Sequence, residues 1–250
     1  MRIVSLVPSL TLTLFDLGCS VEEVVGRTPW CIHPAGKVEQ VAVVGGTKTP
    51  NINKILATNP DLVVLDREEN PKAVYDSLVE AGIDVFVCSV EHPKEVPAML
   101  RGLATKINRE ESGEAWASAL EEVLEELESN PLRTSRIAPM IWHEPLMSVG
   151  PHKYAGGVLT TLGLEVPALV EGGNGYPVVT PELLIQHGIE GLLLSSEPHP
   201  FALEEGAAIA AKVSELGGQE IWSKCIDGEA LTWFGTHTAQ GLKTLHSALI

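Results

Sequence analysis

TPNINKILATNPDLVVLDREENP, residues 49–71, returns in altered form as TPELLIQHGIEGLLLSSEPHP, residues 180–200. Each copy opens with Thr-Pro, runs through a short amphipathic stretch, enters an apolar β-type run and ends in an acidic loop containing proline. A shift of 129 positions pairs Asp61 with Glu190, Leu65 with Leu194, Glu68 with Glu197 and Pro71 with Pro200. One helix–strand–loop unit in each half predicts two related lobes. Two lobes in a chain of this size are expected to hold a ligand in the cleft between them.

Outward from the repeat, strand and helix patterns alternate. Ile3–Leu6 reads as a strand, and Ser9–Leu17 as a helix started by Ser9 and stopped by Gly18. Val24-Val25 and the β-branched run Val41–Val44 read as strands, the latter turned by Gly45-Gly46. Asp61–Leu65 has the continuous apolar texture of a strand buried on both faces, and Gly191–Ser195 is its partner in the second half. Alternation of this kind predicts an α/β protein with parallel sheets covered by helices, two Rossmann-like lobes in all. Between the repeats, REESGEAWASALEEVLEELES (residues 109–129) places Trp116, Leu120, Val123, Leu124 and Leu127 at helical spacing. That is one acidic amphipathic helix of about 20 residues and about 30 Å, stopped by Asn130-Pro131. It is expected to act as a rigid strut, giving a first lobe over 1–108, a backbone helix over 109–131 and a second lobe over 132–250.

Composition sets bounds. A net charge of −16 disfavours nucleic acid, whose phosphates need clustered Lys and Arg. No run approaches the roughly 20 apolar residues of a membrane span. Pro8 and Asp16 interrupt the first apolar stretch, which reads as a strand rather than a leader. The expectation is either a cytoplasmic chain or one whose leader has been removed. The four cysteines lack zinc spacing; Cys19 and Cys88 read as buried thiols, and unpaired thiols favour a reducing compartment.

Polar and aromatic residues gather in loops just after predicted strands, where open parallel sheets bind ligands. They are Trp30, Cys31 and His33; Glu68, Glu69 and Asn70; Trp142 and His143; Glu197 and His199; and Trp233, Phe234 and His237. Trp30 and Trp233 serve either as core packing or as exposed faces that stack on a flat conjugated ligand. The histidines are either surface residues or members of a shared site, with His143, His199 and His237 the metal-ligand candidates. Cys31, two residues before His33, offers a soft-metal pair. No GxSxG, HExxH, P-loop or strand-borne GxGxxG is present, so no catalytic group is singled out.

IVSLVPSLTLTLFDLG, VVGRTPWCIHP, VVGGTKTPNINKILATNPDLVVLDREEN and LVEAGIDVFV, with SVGPHKYAGGVLTTLG in the second half, resemble the class III substrate-binding proteins of ABC importers. The resemblance covers essentially the whole chain and is nearest the cobalamin and helical-backbone metal-receptor subgroup. It implies lobes joined by a rigid helix rather than a hinge, no intrinsic cofactor, and a transported ligand such as cobalamin, haem or a ferric siderophore. It also implies docking on a permease through one Glu per lobe. Glu182 matches on the second lobe, whereas the first lobe has Asn53 beside Lys54. The leading expectation is capture of a metal chelate for an ABC importer. A cytoplasmic corrinoid or metal trafficking protein on the same scaffold is the alternative, and a metal-dependent enzyme the third reading.

Overall fold

A computed structural model describes residues 1–250. The chain forms two compact units. The first comprises Met1–Val90, Val96–Ala119 and Phe234–His237; the second comprises Glu91–Glu95, Leu120–Trp233 and Thr238–Ile250.

In the first unit β1 (Ile3–Ser5), β2 (Val24–Gly26), β3 (Leu62–Asp66) and β4 (Asp84–Cys88) form a parallel sheet in the order β2-β1-β3-β4. Helices α1 (Pro8–Asp16), α2 (Ile52–Ala57), α3 (Lys72–Glu80) and α4 (Val96–Lys106) accompany it. Every residue of β3 is buried, as a central parallel strand requires, and Val63, Leu65, Ile55 and Leu78 meet in the core beside it. Two local expectations are corrected. Ser9 is not the cap of α1: the helix begins at Pro8, and Ser9 lies inside it with its carbonyl accepting the Thr13 hydroxyl. Pro8 suits the first helical position because its missing N–H has no helical partner there. The run Val41–Val44 is not a strand. Its pairing stops at one isolated parallel bridge, Arg27 to Val43, carried by two backbone hydrogen bonds, and Val43 stays 42% exposed.

α5 (Glu110–Ser129) is the 20-residue helix expected from the amphipathic run, and the two units share it at Ala119/Leu120. No helix is long and apolar enough to cross a membrane.

The second unit has β5 (Ile137–Trp142), β6 (Met147–Ser148), β7 (Gly191–Ser195) and β8 (Trp222–Ile226) in the order β6-β5-β7-β8. β5, β7 and β8 are parallel, and the two-residue β6 runs antiparallel on the edge. Its helices are α6 (Tyr154–Thr161), α7 (Pro181–Gln186), α8 (Leu203–Glu215), α9 (Gly228–Thr232) and α10 (Thr238–Leu249). Leu192, Leu194, Leu184, Ile209 and Val213 build its core.

The repeat holds to the residue. α2 and β3, moved by 129 positions, land on α7 and β7. The caps move with them: Asn51 accepts the Lys54 N–H at 3.0 Å and Thr180 the Leu183 N–H at 3.4 Å. At the other end Asn59 (φ 47°) and Gly188 (φ 59°) both take the left-handed turn that closes a helix. An arginine just before the neighbouring strand then clamps each helix end. Arg2 donates to the Thr58 carbonyl, and Arg136 to the His187 carbonyl at 2.9 Å. Asp61 accepts the backbone N–H of Arg2 at 2.7 Å, and Glu190 that of Arg136 at 3.2 Å. A cation at a helix C-terminus is favourable against the macrodipole, so the clamp fixes each short helix to its sheet.

Candidate functional site

Most candidate residues lie in loops that follow parallel strands, after β2 and β3 in the first unit and at or after the ends of β5 and β7 in the second, whereas Trp233, Phe234 and His237 follow α9. In the first unit the loop after β2 is braced from within. Arg27 donates to the carbonyls of Val38 (2.6 Å), Thr28 (3.0 Å) and Cys31 (3.3 Å). Cys31 is fully buried, its sulfur accepting the Thr11 hydroxyl at 3.0 Å and lying 3.2 Å from that of Thr28. The Cys31 thiol therefore points into the core, which corrects the expected soft-metal pair with His33. Immediately before it Trp30 is 66% exposed. His33 is half-buried.

The loop after β3 is closed by Asp66, whose carboxylate accepts the N–H groups of Glu68 (2.9 Å) and Glu69 (3.0 Å). Burial pushes the Asp66 carboxyl up, and those two N–H groups pull it back. Asn70 is 6% exposed and spends its amide on structure. It donates to the carbonyls of Leu6 and Thr47 and accepts from the Asp66 N–H. It has no polar atom left for a ligand, a correction to its expected role. Glu68 is exposed, and Glu69 pairs with Lys48 at 3.4 Å.

Phe234–His237 is held to α1. Thr236 donates to Asp16 at 2.6 Å, and its N–H meets the Thr13 hydroxyl at 3.2 Å. Asp16 is raised by burial against the lowering effect of that hydroxyl. Trp233 and Phe234 are only 8% and 7% exposed. Of the two readings of Trp233 the packed one therefore holds; it is the C-cap of α9, and its backbone N–H bonds back to the Glu229 carbonyl.

The second unit brings candidates together. β5 and β7 pair in parallel with Met140 opposite Leu194, so the chain leaves both strands side by side. His143 follows β5. The loop after β7 folds back, the Phe201 N–H reaching the carbonyl of His199 at 2.9 Å. The rings of His143 and His199 stack with centroids 5.2 Å apart at 24°. Phe201, buried, sets its edge against both, at 6.1 and 4.6 Å. Trp142, 43% exposed, donates its indole N–H to the Glu144 carbonyl at 2.9 Å. Glu197 is half-buried; its N–H meets the Ser195 hydroxyl as that of Glu68 meets Asp66, another echo of the repeat.

One member of this group lies outside the predicted loops. Glu205, in the first turn of α8, places one carboxylate oxygen, Oε1, 2.9 Å from His143 Nδ1 and 2.9 Å from His199 Nε2. Its other oxygen accepts the Ala202 N–H at 2.8 Å. The Ala202 N–H, and after it His199, hold the Glu205 carboxyl below the ordinary carboxylate value. The three donor atoms lie within 4.8 Å of one another. His237, the remaining metal-ligand candidate, is not among them; it belongs to the first unit, near Asp16. An acidic residue at the third position of a helix, six after a loop histidine, was the available signal for Glu205.

Each unit is an α/β unit on a mainly parallel sheet, and the polar and aromatic residues in loops after its strands mark those strand ends as its candidate ligand-binding region. Residues 3–196 match the family described as periplasmic binding protein, and the chain belongs to that family. It is a substrate-binding protein and not an enzyme. A relative named vitamin B12-binding protein, from Pectobacterium carotovorum subsp. carotovorum (strain PC1), is 25% identical over 207 residues, 80% of this chain and 73% of its own. Among solved structures, the periplasmic haem-binding protein RhuT from Roseiflexus sp. RS-1 superposes with a TM-score of 0.81 at 19% identity, over 99% of this chain and 97% of that one. The periplasmic vitamin B12-binding protein BtuF of Vibrio cholerae gives 0.80 at 19% identity, over 99% and 96%.

Proposed function

We propose that this protein captures cobalamin, or a related flat metal chelate such as haem or a ferric siderophore, and delivers it to an ABC permease outside the cytoplasm. Support comes from relatives named for vitamin B12 and from fold neighbours named for B12 and haem. The observation that carries the reading is Trp30. A large indole, 66% exposed, stands on a loop whose backbone Arg27 braces and whose next residue is fully buried. Such a face needs little ordering on binding and stacks on a planar macrocycle. In the same unit the loops after β2 and β3 carry His33, Glu68 and Glu69; in the second unit Trp142 ends β5 and Glu197 stands on the loop after β7.

Titration of the purified protein with cyanocobalamin, haemin and a ferric siderophore, followed by absorbance and calorimetry, tests this. One of the three binds at micromolar affinity or tighter. If all bind more weakly than about 100 μM, too weak for capture, the reading fails.

Permease docking is proposed through Glu182, exposed in the first turn of α7. The equivalent position in α2 is the exposed Asn53, followed by Lys54, so the first unit offers no matching carboxylate. That asymmetry favours a second reading, a trafficking role inside the cell, which predicts the same ligand and no permease contact.

A further inference from the structure

We propose that His143, His199 and Glu205 form a binding site for a single divalent transition-metal ion of the zinc class, through Nδ1, Nε2 and Oε1 respectively. This goes beyond chelate capture and does not rest on it.

The donors meet the requirements of such an ion. Two imidazole nitrogens and a carboxylate oxygen are a borderline set that suits zinc and its neighbours rather than magnesium or calcium. Around an ion with ligands at about 2.0–2.2 Å, tetrahedral donors stand about 3.3 Å apart. The observed 2.9 Å separations from Oε1 to each nitrogen open to that spacing by a few tenths of an ångström.

A plain hydrogen-bonded trio explains the geometry less well. Oε1 accepts one good hydrogen bond, from His199 Nε2 at 2.9 Å. His143 Nδ1 is equally close to Oε1 yet makes no hydrogen bond, and that nitrogen is shut off from solvent although its ring is 42% exposed. Leaving a buried imidazole nitrogen without a partner is unfavourable, and a bound cation removes that cost.

The donors are also held in advance. The Ala202 N–H fixes one oxygen of Glu205 and leaves the other aimed at the rings. Phe201 packs against both rings from the core. The helix N-terminus contributes a partial positive charge of about half a unit, which opposes a cation. The adjoining hollow, about 440 Å³, outweighs it: Glu144, Glu204 and Glu205 line it against one ammonium, Lys212. Glu144 or Glu204, or water in the hollow, supplies the fourth ligand.

The test is calorimetric titration of tag-free, EDTA-stripped and dialysed protein with zinc sulfate at neutral pH, with no chelate present. One equivalent binds with Kd of about 1 μM or tighter, and cobalt(II) in its place gives the intense visible absorption of a low-coordinate nitrogen/oxygen site. His143→Gln and His199→Ala each weaken zinc by about 100-fold or more, since even loss of an outer-shell partner costs about 10–100-fold. His199→Ala loosens the packing on Phe201; His143→Gln, at the more exposed ring, keeps the fold and loses the metal equally. Cys225→Ser, which removes the exposed thiol, changes nothing. Binding weaker than about 100 μM, or zinc affinity and cobalt spectrum unchanged in His143→Gln, overturns the proposal. Cyanocobalamin and haemin titrations of the same variants are a separate readout, so failure of chelate capture and failure of the metal site are told apart.

Discussion

Replacing Gly113 with alanine sets two effects of known size against each other in the long helix. Gly113 is buried in the interior of α5, where alanine is favoured over glycine by about 1 kcal/mol on helix propensity alone. The new Cβ would stand 2.2 Å from the Ala104 Cβ of α4 and 3.3 Å from the Leu100 carbonyl oxygen. Carbon atoms in contact sit about 3.5–4.0 Å apart, so α4 and α5 must part by more than about 1 Å. That separation also loosens Leu100, Leu103 and Ala117, each at most 1% exposed. Overpacking of this size costs about 3 kcal/mol, the upper end of its usual range. Gly113→Ala is therefore expected to destabilise by about 2 kcal/mol. Ala104→Gly alone loses helix propensity and a buried methyl, again about 2 kcal/mol. The double variant moves one methyl from α4 to α5 and should unfold within about 1 kcal/mol of the parent, giving a coupling of about 4 kcal/mol. Urea unfolding followed by circular dichroism, with slopes compared to confirm equal exposed surface, measures all four proteins. A Gly113→Ala variant as stable as the parent, or a double variant whose loss equals the sum of the singles, would refute the contact between these helices as the reason for glycine.

The two indoles separate function from packing. Trp30→Ala should weaken the bound chelate by about 1–3 kcal/mol and leave the urea midpoint unchanged. Trp233→Ala should cost about 3–5 kcal/mol of stability, read from that midpoint, because the residue is 8% exposed. Asp66 carries a pH dependence. Burial raises its folded-state carboxyl above 3.8, so the folded chain holds the proton more tightly than the unfolded one. Its unfavourable contribution is fully present above the folded value and fades as pH falls through that value toward 3.8. Asp66→Asn keeps an oxygen for the Glu68 and Glu69 N–H groups and should flatten the thermal stability profile over that window without loss at neutral pH. Asp66→Ala leaves both donors unpaired and should cost about 1–3 kcal/mol. A steeper profile in Asp66→Asn than in the parent would contradict the assigned cause.

Much of the architecture is written locally. The register of the repeat, α2 with α7 and β3 with β7, follows from apolar runs, Thr-Pro starts and cap residues that act within a few positions. The length of α5 follows from uninterrupted helical spacing between Arg109 and Asn130. The buried thiols Cys19 and Cys88 follow from apolar neighbours. Local readings failed where a partner was needed. Val41–Val44 has strand composition, yet its pairing with the chain after β2 stops at a single bridge to Arg27. Asn70 and Cys31 look like loop ligands until Leu6, Thr47, Thr11 and Thr28, distant in sequence, take up their polar atoms.

The candidate site divides in the same way. Sequence alone placed His143 and His199 in loops after two predicted strands, because strand ends and turn residues are short-range signals. Only the tertiary structure joined them to Glu205 and excluded His237. The pairing of β5 with β7 and the entry angle of α8 decide which donor atoms come within a few ångströms, and those depend on packing between segments some 50 residues apart.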